Sequence, residues 1–416
     1  MSDTVIPSVV GGRRKVPSVY ENALTWLFNT QRFGIKLGLE NSRRVFNALD
    51  VPQPNERIIH VAGTNGKGSV CALLDSICRA AGYRTALFTS PHLVSFRERI
   101  QVDGALISKD EVVRGLTKIR ELIAGWEPHP TFFEITTGLA LDHFRNSETE
   151  IIVLETGMGG RLDATNAIQP SVTVLTPIDY DHQKWLGSSL TEIAREKAGI
   201  IKPAVPVVSA RQLPEAEAVI RTRAAECDAP LDFVRQPFER LPIALSGAHQ
   251  KRNAALALSA LHTAKIEVDE DAIARGLATV VWPARFQRWD ERTIIDGAHN
   301  PAGARTLAEA WRENFGDQQA TVVLAVLQEK DVIGICTALG PIARRWLLPS
   351  IRSERALSPR ELRLTIQDQV PDVPVAIVRS FAAAWEEARR EAVPILITGS
   401  LHFAGEALAF LQGKPA

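Results

Sequence analysis

Short apolar runs, each ending in glycine or in residues with chemistry to offer, alternate with amphipathic stretches along most of the chain. The sharpest example is Arg57-Ile-Ile-His-Val-Ala62, which reads as a buried strand and breaks into Gly63-Thr-Asn-Gly-Lys-Gly-Ser69. Leu73, Leu74, Ile77 and Ala80 then fall at the three-and-four spacing of one apolar face, which predicts a helix over 70–81 with Gly82 at its C-cap. Upstream, residues 1–16 lack periodicity and read as a loose tail, and a short helix carries Tyr20, Leu24 and Leu27. The two glycines in Arg32-Phe-Gly-Ile-Lys-Leu-Gly-Leu-Glu40 imply a shaped loop before a second helix that ends at Ala48.

Downstream, strands are predicted at 83–89, 151–154, 172–176 and 205–209, with helices at 214–227 and 249–263 and another from about Leu190 to a Gly199 cap. Two further helices open with capping boxes, Ser108 with Glu111 and Thr131 with Glu134. The polar stretch 94–104 reads as a long irregular loop. Near Trp282-Pro-Ala-Arg-Phe286 the helical pattern stops and a fresh alternation begins, with strands at 293–296, 321–327, 344–348, 375–378 and 395–398. Such a rhythm predicts an α/β fold in which a tail (1–16) and a larger domain (17–284) precede a smaller open sheet of the dinucleotide-fold type (285–416).

At 416 residues the chain fits two such domains, since a domain takes roughly 100 to 200 residues. The 48 basic and 48 acidic residues cancel, so charge offers no case for nucleic acid or a membrane surface, and a small-molecule partner fits better. Four cysteines (Cys71, Cys78, Cys227, Cys336) lack metal-ligand spacing and read as reduced core thiols. No run reaches the length of a membrane span and no signal-type apolar core follows Arg13, Arg14 and Lys15, which places the protein in the cytoplasm.

The strand–turn–helix carries the first chemistry. Gly63, Gly66 and Gly68 let backbone N–H groups close round an anion at a helix N-terminus, and Lys67 supplies an ammonium for terminal phosphates, so the unit reads as a nucleoside triphosphate site. It is a variant P-loop: the first glycine of the strict pattern falls on Val61, and Gly68 follows the lysine, with the hydroxyl delayed to Ser69. The bland alternative is a glycine-rich turn with a solvated lysine. Glu155 ends a fully apolar strand and is a candidate ligand for magnesium, against the alternative of a surface-facing strand end. His182 follows an acidic pair at the next strand's end and is either beside the same metal or a structural hydrogen-bonder. Asp296 and His299 close the first strand of the second domain and point toward the cleft, unless Asn300-Pro301 merely starts a helix. Arg285 either neutralises phosphate across that cleft or pairs with a carboxylate.

Together these segments resemble the folylpolyglutamate synthase and dihydrofolate synthase family of ATP-dependent Mur-type ligases. The resemblance runs through Phe33–Glu40, His60–Ser69, Thr89-Ser-Pro-His-Leu93 with Glu98-Arg-Ile100, Glu155–Asn166, Asp181-His182 and Glu196–Lys202. It continues in His249-Gln-Lys-Arg-Asn253, Asp296-Gly-Ala-His-Asn-Pro301 and Gly399-Ser-Leu-His-Phe-Ala-Gly405. It implies a P-loop ATPase domain of the Mur-ligase type followed by a Rossmann-like ligase domain, acting as a monomer. It further implies that Gly63, Thr64, Asn65, Gly66, Lys67, Gly68 and Ser69 hold ATP phosphates. On the same likeness Asn253, Arg285 and Asp296 bind nucleotide, Ser90, Glu155 and His182 ligate magnesium, and Lys197 is carbamylated. Gly34, Ile35, Lys36, Leu37, Phe133, Leu162, Asp163 and Ala164 then face the pterin-bearing substrate, and Arg99, His299 and Ser400 the incoming L-glutamate. One departure is Ala284, where the family commonly has glycine, at the expected hinge.

The reaction implied phosphorylates a carboxylate of dihydropteroate or of a reduced folate with ATP, and L-glutamate then displaces phosphate to form an amide, with Lys67, Glu155, His182 and Lys197 as the catalytic set. Rivals are a cell-wall amino-acid ligase, for whose extra uridine-nucleotide domain too little chain precedes Gly63, a phosphotransferase, and a non-catalytic nucleotide switch.

Overall fold

The computed structural model describes residues 17–33, 38–52 and 56–414. The expected tail and the expected substrate contacts Gly34, Ile35, Lys36 and Leu37 lie outside the described residues. Two sheets are present. The first holds β1 (Arg57–Ala62), β2 (Thr85–Phe88), β3 (Ile100–Val102), β4 (Ala105–Leu106), β5 (Ile151–Glu155), β6 (Val172–Leu175), β7 (Val207–Ala210) and β8 (Leu231–Val234), in the order β4-β3-β2-β5-β1-β6-β7-β8. β2, β5, β1, β6, β7 and β8 are parallel, and β3 and β4 add an antiparallel edge.

The central strands are apolar at nearly every position because both faces are covered. Ile59, Val61, Val153 and Val174 pack under the helix Lys67–Ala80, which lies beneath the helices Ala248–Thr263 and Glu270–Thr279 and is buried from Gly68 to Cys78. Ile58, Ile152 and Leu154 face the opposite layer, with Val45, Phe46, Ile135 and Leu139. Both expected capping boxes are formed, and Glu134 accepts from Thr131 N at 2.7 Å. All four cysteines are buried and free, and no helix among the described residues is long and apolar enough to cross a membrane.

The second sheet comprises β9 (Gln287–Asp290), β10 (Thr293–Ile295), β11 (Ala320–Leu324), β12 (Ala343–Pro349), β13 (Val375–Val378) and β14 (Ile395–Thr398), in the order β13-β12-β11-β14-β10-β9. Only β9 is antiparallel. In both sheets the loops at the carboxyl ends of parallel strands carry Gly63–Gly66, Ser90, Leu162, Asp163, His182, Asp296, His299 and Ser400, the place where open α/β sheets bind ligands, while Phe133, Lys197 and Asn253 stand on helices.

Several expectations change. The stretch 94–104 is not irregular: Phe96–Arg99 forms a 3-10 turn, and Asp103 and Gly104, both at positive φ, make the two-residue turn of the β3–β4 hairpin. β8, β9 and the helix Glu270–Thr279 were not predicted, the two strands because edge positions show no clean apolar alternation. Gly199 ends its helix in ordinary right-handed geometry. Glycine is needed there because a Cβ would sit 2.3 Å from that of Arg161.

The chain crosses between sheets over 280–286, where Ala284 (φ 56°) and Phe286 (φ 45°) both lie in the left-handed region. Ala284 is also fully buried, with its carbonyl accepting from Gly297 N. Glycine would adopt this backbone without strain. We expect Ala284→Gly to stay within about 1 kcal/mol of the parent and Ala284→Val to lose about 2 kcal/mol or more, read as shifts in thermal midpoint. Equal losses in both would show that side-chain packing, not backbone geometry, governs this position.

Candidate active site

The turn after β1 is shaped by what surrounds it. Gly63 (φ 145°) lies so close to β6 that a Cβ would meet Thr176 Oγ1 at 1.9 Å, and one on Gly66 (φ 91°) would come within 2.9 Å of Asn253 Oδ1. A Cβ on Gly68 would strike the Trp282 indole at 2.7 Å, which explains why no hydroxyl residue follows the lysine. Ser69 is buried instead, with its Oγ accepting from Gln250 Nε2 at 3.4 Å. Thr64 and Asn65 donate their N–H groups to Pro177 O. The N–H groups this turn leaves available to an anion are therefore those of Lys67, Gly68 and Ser69, which have no intrahelical partner. Lys67 Nζ folds back onto Gly63 O (3.2 Å) and Thr64 O (3.4 Å), and Lys197 Nζ reaches the same Gly63 O at 2.8 Å.

A cavity of about 170 Å³ is lined by Gly63–Ser69, Ser90, Glu155, His182, Lys197, Asn253, Arg285 and Asp296. The structure thus brings together every expected nucleotide, metal and modified residue. Glu155 is 4 % exposed and accepts Ser90 N through Oε2 at 3.0 Å; burial pushes its carboxyl up, against the pull of Lys67. Lys197, 3 % exposed, is brought down to about 7, first by burial and then by the nearby Lys67 charge. Burial also lowers His182 to about 4, against the opposing Asp181 charge. Asp296 accepts from Phe286 N at 2.7 Å and Ala298 N at 2.8 Å, fixing the turn that follows β10. Among the described residues no three His, Cys, Asp or Glu side chains form a ready metal cluster. The donor set around Glu155, one carboxylate with a hydroxyl and an imidazole nearby, suits a hard cation that keeps waters and phosphate oxygens.

A larger cavity of about 500 Å³ adjoins it and holds Phe133, Leu162, Asp163, Ala164, Arg99, His299 and Ser400, all the described residues expected to face substrate. Asp163 is held by Met158 N (2.9 Å), Thr165 N (3.1 Å) and Thr165 Oγ1 (2.6 Å), and Thr165 Oγ1 in turn pairs with buried His60 Nε2 at 2.8 Å. The Ser400 hydroxyl caps its own helix at Phe403 N and donates to Ala325 O at 3.3 Å.

Sequence reasoning missed the polar knot joining the two sheets. Asp181 accepts from Lys330 Nζ at 2.5 Å and Asn300 Nδ2 at 3.1 Å, with His299 Nε2 at 3.3 Å. Burial alone would raise Asp181, but the His299 hydrogen bond and the His299, His182 and Lys330 charges outweigh it and hold the carboxyl far below the usual range. Asn300 also exchanges amide hydrogen bonds with the P-loop residue Asn65, at 3.1 and 3.2 Å. Lys330 was findable by one signal, its position in a polar loop after the apolar strand β11.

Comparison with known proteins agrees with this geometry. Residues 61–229 match the Mur ligase middle domain, and residues 284–401 match the Mur ligase glutamate ligase domain. The chain is 32% identical over 426 residues to the dihydrofolate synthase/folylpolyglutamate synthase of Bacillus subtilis, covering 93% of this chain and 97% of that protein. The solved Escherichia coli structure in complex with DHPP and ADP superposes with a TM-score of 0.85 at 31% identity, covering 96% of this chain and 99% of the other. The bifunctional folylpolyglutamate synthase/dihydrofolate synthase of Yersinia pestis, complexed with AMPPNP and Mn ion, gives 0.85 at 30% identity, covering 96% and 100%. Sequence, fold and the placement of the P-loop against a second sheet thus agree: the chain belongs to the dihydrofolate synthase/folylpolyglutamate synthase family of Mur ligases.

Proposed function

We propose that this protein joins L-glutamate to a folate-class carboxylate, that of dihydropteroate or the terminal glutamate of a reduced folate, with ATP as the activating substrate. The observation that carries this is the shared wall of the two cavities: Ser90, Pro91, Gly157, Met158, His182 and His299 line both. A terminal phosphate held over the P-loop therefore meets a carboxylate arriving from the larger, more apolar cavity. The carboxylate oxygen attacks the γ-phosphorus, ADP leaves, and the amine of L-glutamate attacks the acyl phosphate, releasing phosphate and a proton.

In this reading Lys67 swings from the loop carbonyls to the β- and γ-phosphates, and the first-turn N–H groups hold the oxygens that gain charge. Asn253, Arg285 and Asp296 hold the nucleotide from the domain junction. Glu155, Ser90 and His182 would hold Mg²⁺, which when bound would supply Lewis-acid polarisation of the γ-phosphate and offset charge gathering on the leaving group. Phe133 and Leu162–Ala164 seat the pterin end, and Arg99, His299 and Ser400 the amino acid. Residues 17–284 form the ATP- and folate-binding domain, and 285–416 the domain that brings the amino acid and closes the cleft. Four buried thiols without a disulfide accord with a cytoplasmic setting.

The test is phosphate release with ATP, Mg²⁺ and L-glutamate, offering dihydropteroate and tetrahydrofolate separately, with mass spectrometry of the products. Glutamylated product from both establishes two activities, and from one names the narrower enzyme. Phosphate retained on the substrate, or ATP binding without any amide, would overturn the reading.

Lys197 is read as carbamylated: its neutral amine adds to CO₂ and releases a proton, turning a cation that crowds Lys67 into an anion. With Lys197 brought down to about 7, the amine is available near neutrality. Enzyme depleted of CO₂ should lose activity and regain it on adding bicarbonate, faster at about pH 8 than at about pH 6 because only the neutral amine reacts. Activity indifferent to CO₂ would remove the modification from the mechanism.

A further inference from the structure

We infer that His92 is a positioning residue that aims the Arg99 guanidinium at the carboxylates of the incoming amino acid, an inference that rests on the reading of Arg99 given above. Arg99 is 8 % exposed and lines the larger cavity. Its Nε donates to His92 Nδ1 at 2.8 Å, and the Phe132 ring lies 5.3 Å from its Cζ. Among the described residues its two terminal nitrogens have no hydrogen-bond acceptor. Two carboxylates act on it by charge, Glu155 first and then Glu98, but neither bonds the fork: Glu155 accepts from Ser90 N, and Glu98 is taken up by the backbone N–H groups of Leu93, Val94 and Ser95. A buried guanidinium with an open fork is costly unless an anion completes it, and a carboxylate matches that fork in plane and spacing.

The guanidinium is planar, so fixing the direction of Nε–H and covering one face sets where the other two nitrogens point. His92 does the first and Phe132 the second. The Nε–H group can only donate, so His92 Nδ1 accepts and the ring carries its proton on Nε2. The imidazole is itself held, tilted against Phe28 at 6.4 Å and edge-on to Phe96 at 6.2 Å, while Phe28 stacks on Phe132 at 5.4 Å. One aromatic cluster therefore orients both the histidine and the arginine it serves. Packing alone would be met by a phenylalanine at position 92, and what that residue cannot supply is the acceptor.

This distinction makes the test. His92→Phe keeps the ring and its contacts but removes Nδ1, and should raise the KM for L-glutamate about tenfold while leaving the KM for ATP and for the acyl donor in place. Turnover at saturating glutamate should remain within about threefold of the parent. His92→Asn, whose Oδ1 falls where Nδ1 lies, should restore the glutamate KM to within about threefold. In an Arg99→Ala background, itself raised in glutamate KM, His92→Phe should add nothing. Thermal midpoints of all variants verify folding. An unmoved glutamate KM in His92→Phe, an equal rise for all three substrates, or a full loss persisting without Arg99 would overturn the positioning role. Should Arg99→Ala itself leave the glutamate KM unchanged, the placement of the amino acid at Arg99 fails, and the inference with it.

Discussion

Lys67→Ala and Glu155→Ala should each lower turnover by about a thousandfold or more while leaving the protein folded. In the proposed mechanism the two act on opposite sides of the same event. When the acyl phosphate forms, charge moves onto the oxygen joining the β- and γ-phosphates, and Lys67 is the mobile cation of the loop around it. In the structure its ammonium rests on Gly63 O and Thr64 O, contacts that hold it in place without engaging any carboxylate. Removing it leaves Gly63 O bonded to Lys197, so the loop keeps a donor and the loss falls on catalysis. Glu155 is the anionic counterpart, buried among Lys67, Arg285 and Arg99 with only Ser90 N–H among the hydrogen bonds described for it. Without it Ser90 and His182 are left with no carboxylate in the proposed metal set and Lys67, Arg285 and Arg99 lose the anion that acts on all three, and Glu155→Gln, which keeps the volume, should be nearly as damaging. Glutamate-dependent phosphate release in single-turnover mode reads the chemical step, and binding of an ATP analogue separates it from affinity. Near-normal release in either variant would sink the assignment of this cavity.

These residues were readable because each stands where a regular pattern breaks. Gly63 interrupts an apolar strand, and Glu155 is the first charge after Ile151-Ile-Val-Leu154, so periodicity pointed to both. Hydroxyl and carboxylate at fixed spacing likewise marked the caps of 108–111 and 131–134. The β3–β4 hairpin was missed although Asp103-Gly104 is a strong turn signal, because the flanking residues are short and polar. A different kind of information was absent altogether. The reason for Gly68 is the indole of Trp282, and the partner of Asp181 is Lys330, 149 positions away. Local pattern specifies elements and the strand ends that offer chemistry. Which ends meet across a cleft depends on docking two sheets, and no periodicity within either one records it.

Lys330→Met should therefore do its damage between the domains. The Lys330 side chain is only 6% exposed and the Asp181 side chain 5%, and they descend from different sheets. Removing one member of a buried ion pair leaves the other charge uncompensated and costs about 3 to 5 kcal/mol, here against closure and not against the core of either domain. Methionine preserves most of the volume, so each hydrophobic core stays filled. Asn300 and His299 remain beside the Asp181 carboxylate, but neither replaces the ammonium at 2.5 Å. The expected result is a fall in kcat/KM of about a hundredfold, little change in thermal midpoint, and a more open molecule by small-angle scattering in the presence of ATP. The diagnostic variant is the second one: Asp181→Asn added to Lys330→Met removes the stranded charge and should recover part of the closure, so the double variant is more compact than Lys330→Met alone. Additive losses in both closure and activity, or Lys330→Met at parental activity, would show that the pair is incidental to docking. The same knot touches the P-loop through the Asn65–Asn300 amide pair, so closure and phosphate binding share atoms. A nucleotide that reorganises Asn65 thereby changes the stability of the domain contact, and by linkage a looser contact must weaken the nucleotide in equal measure.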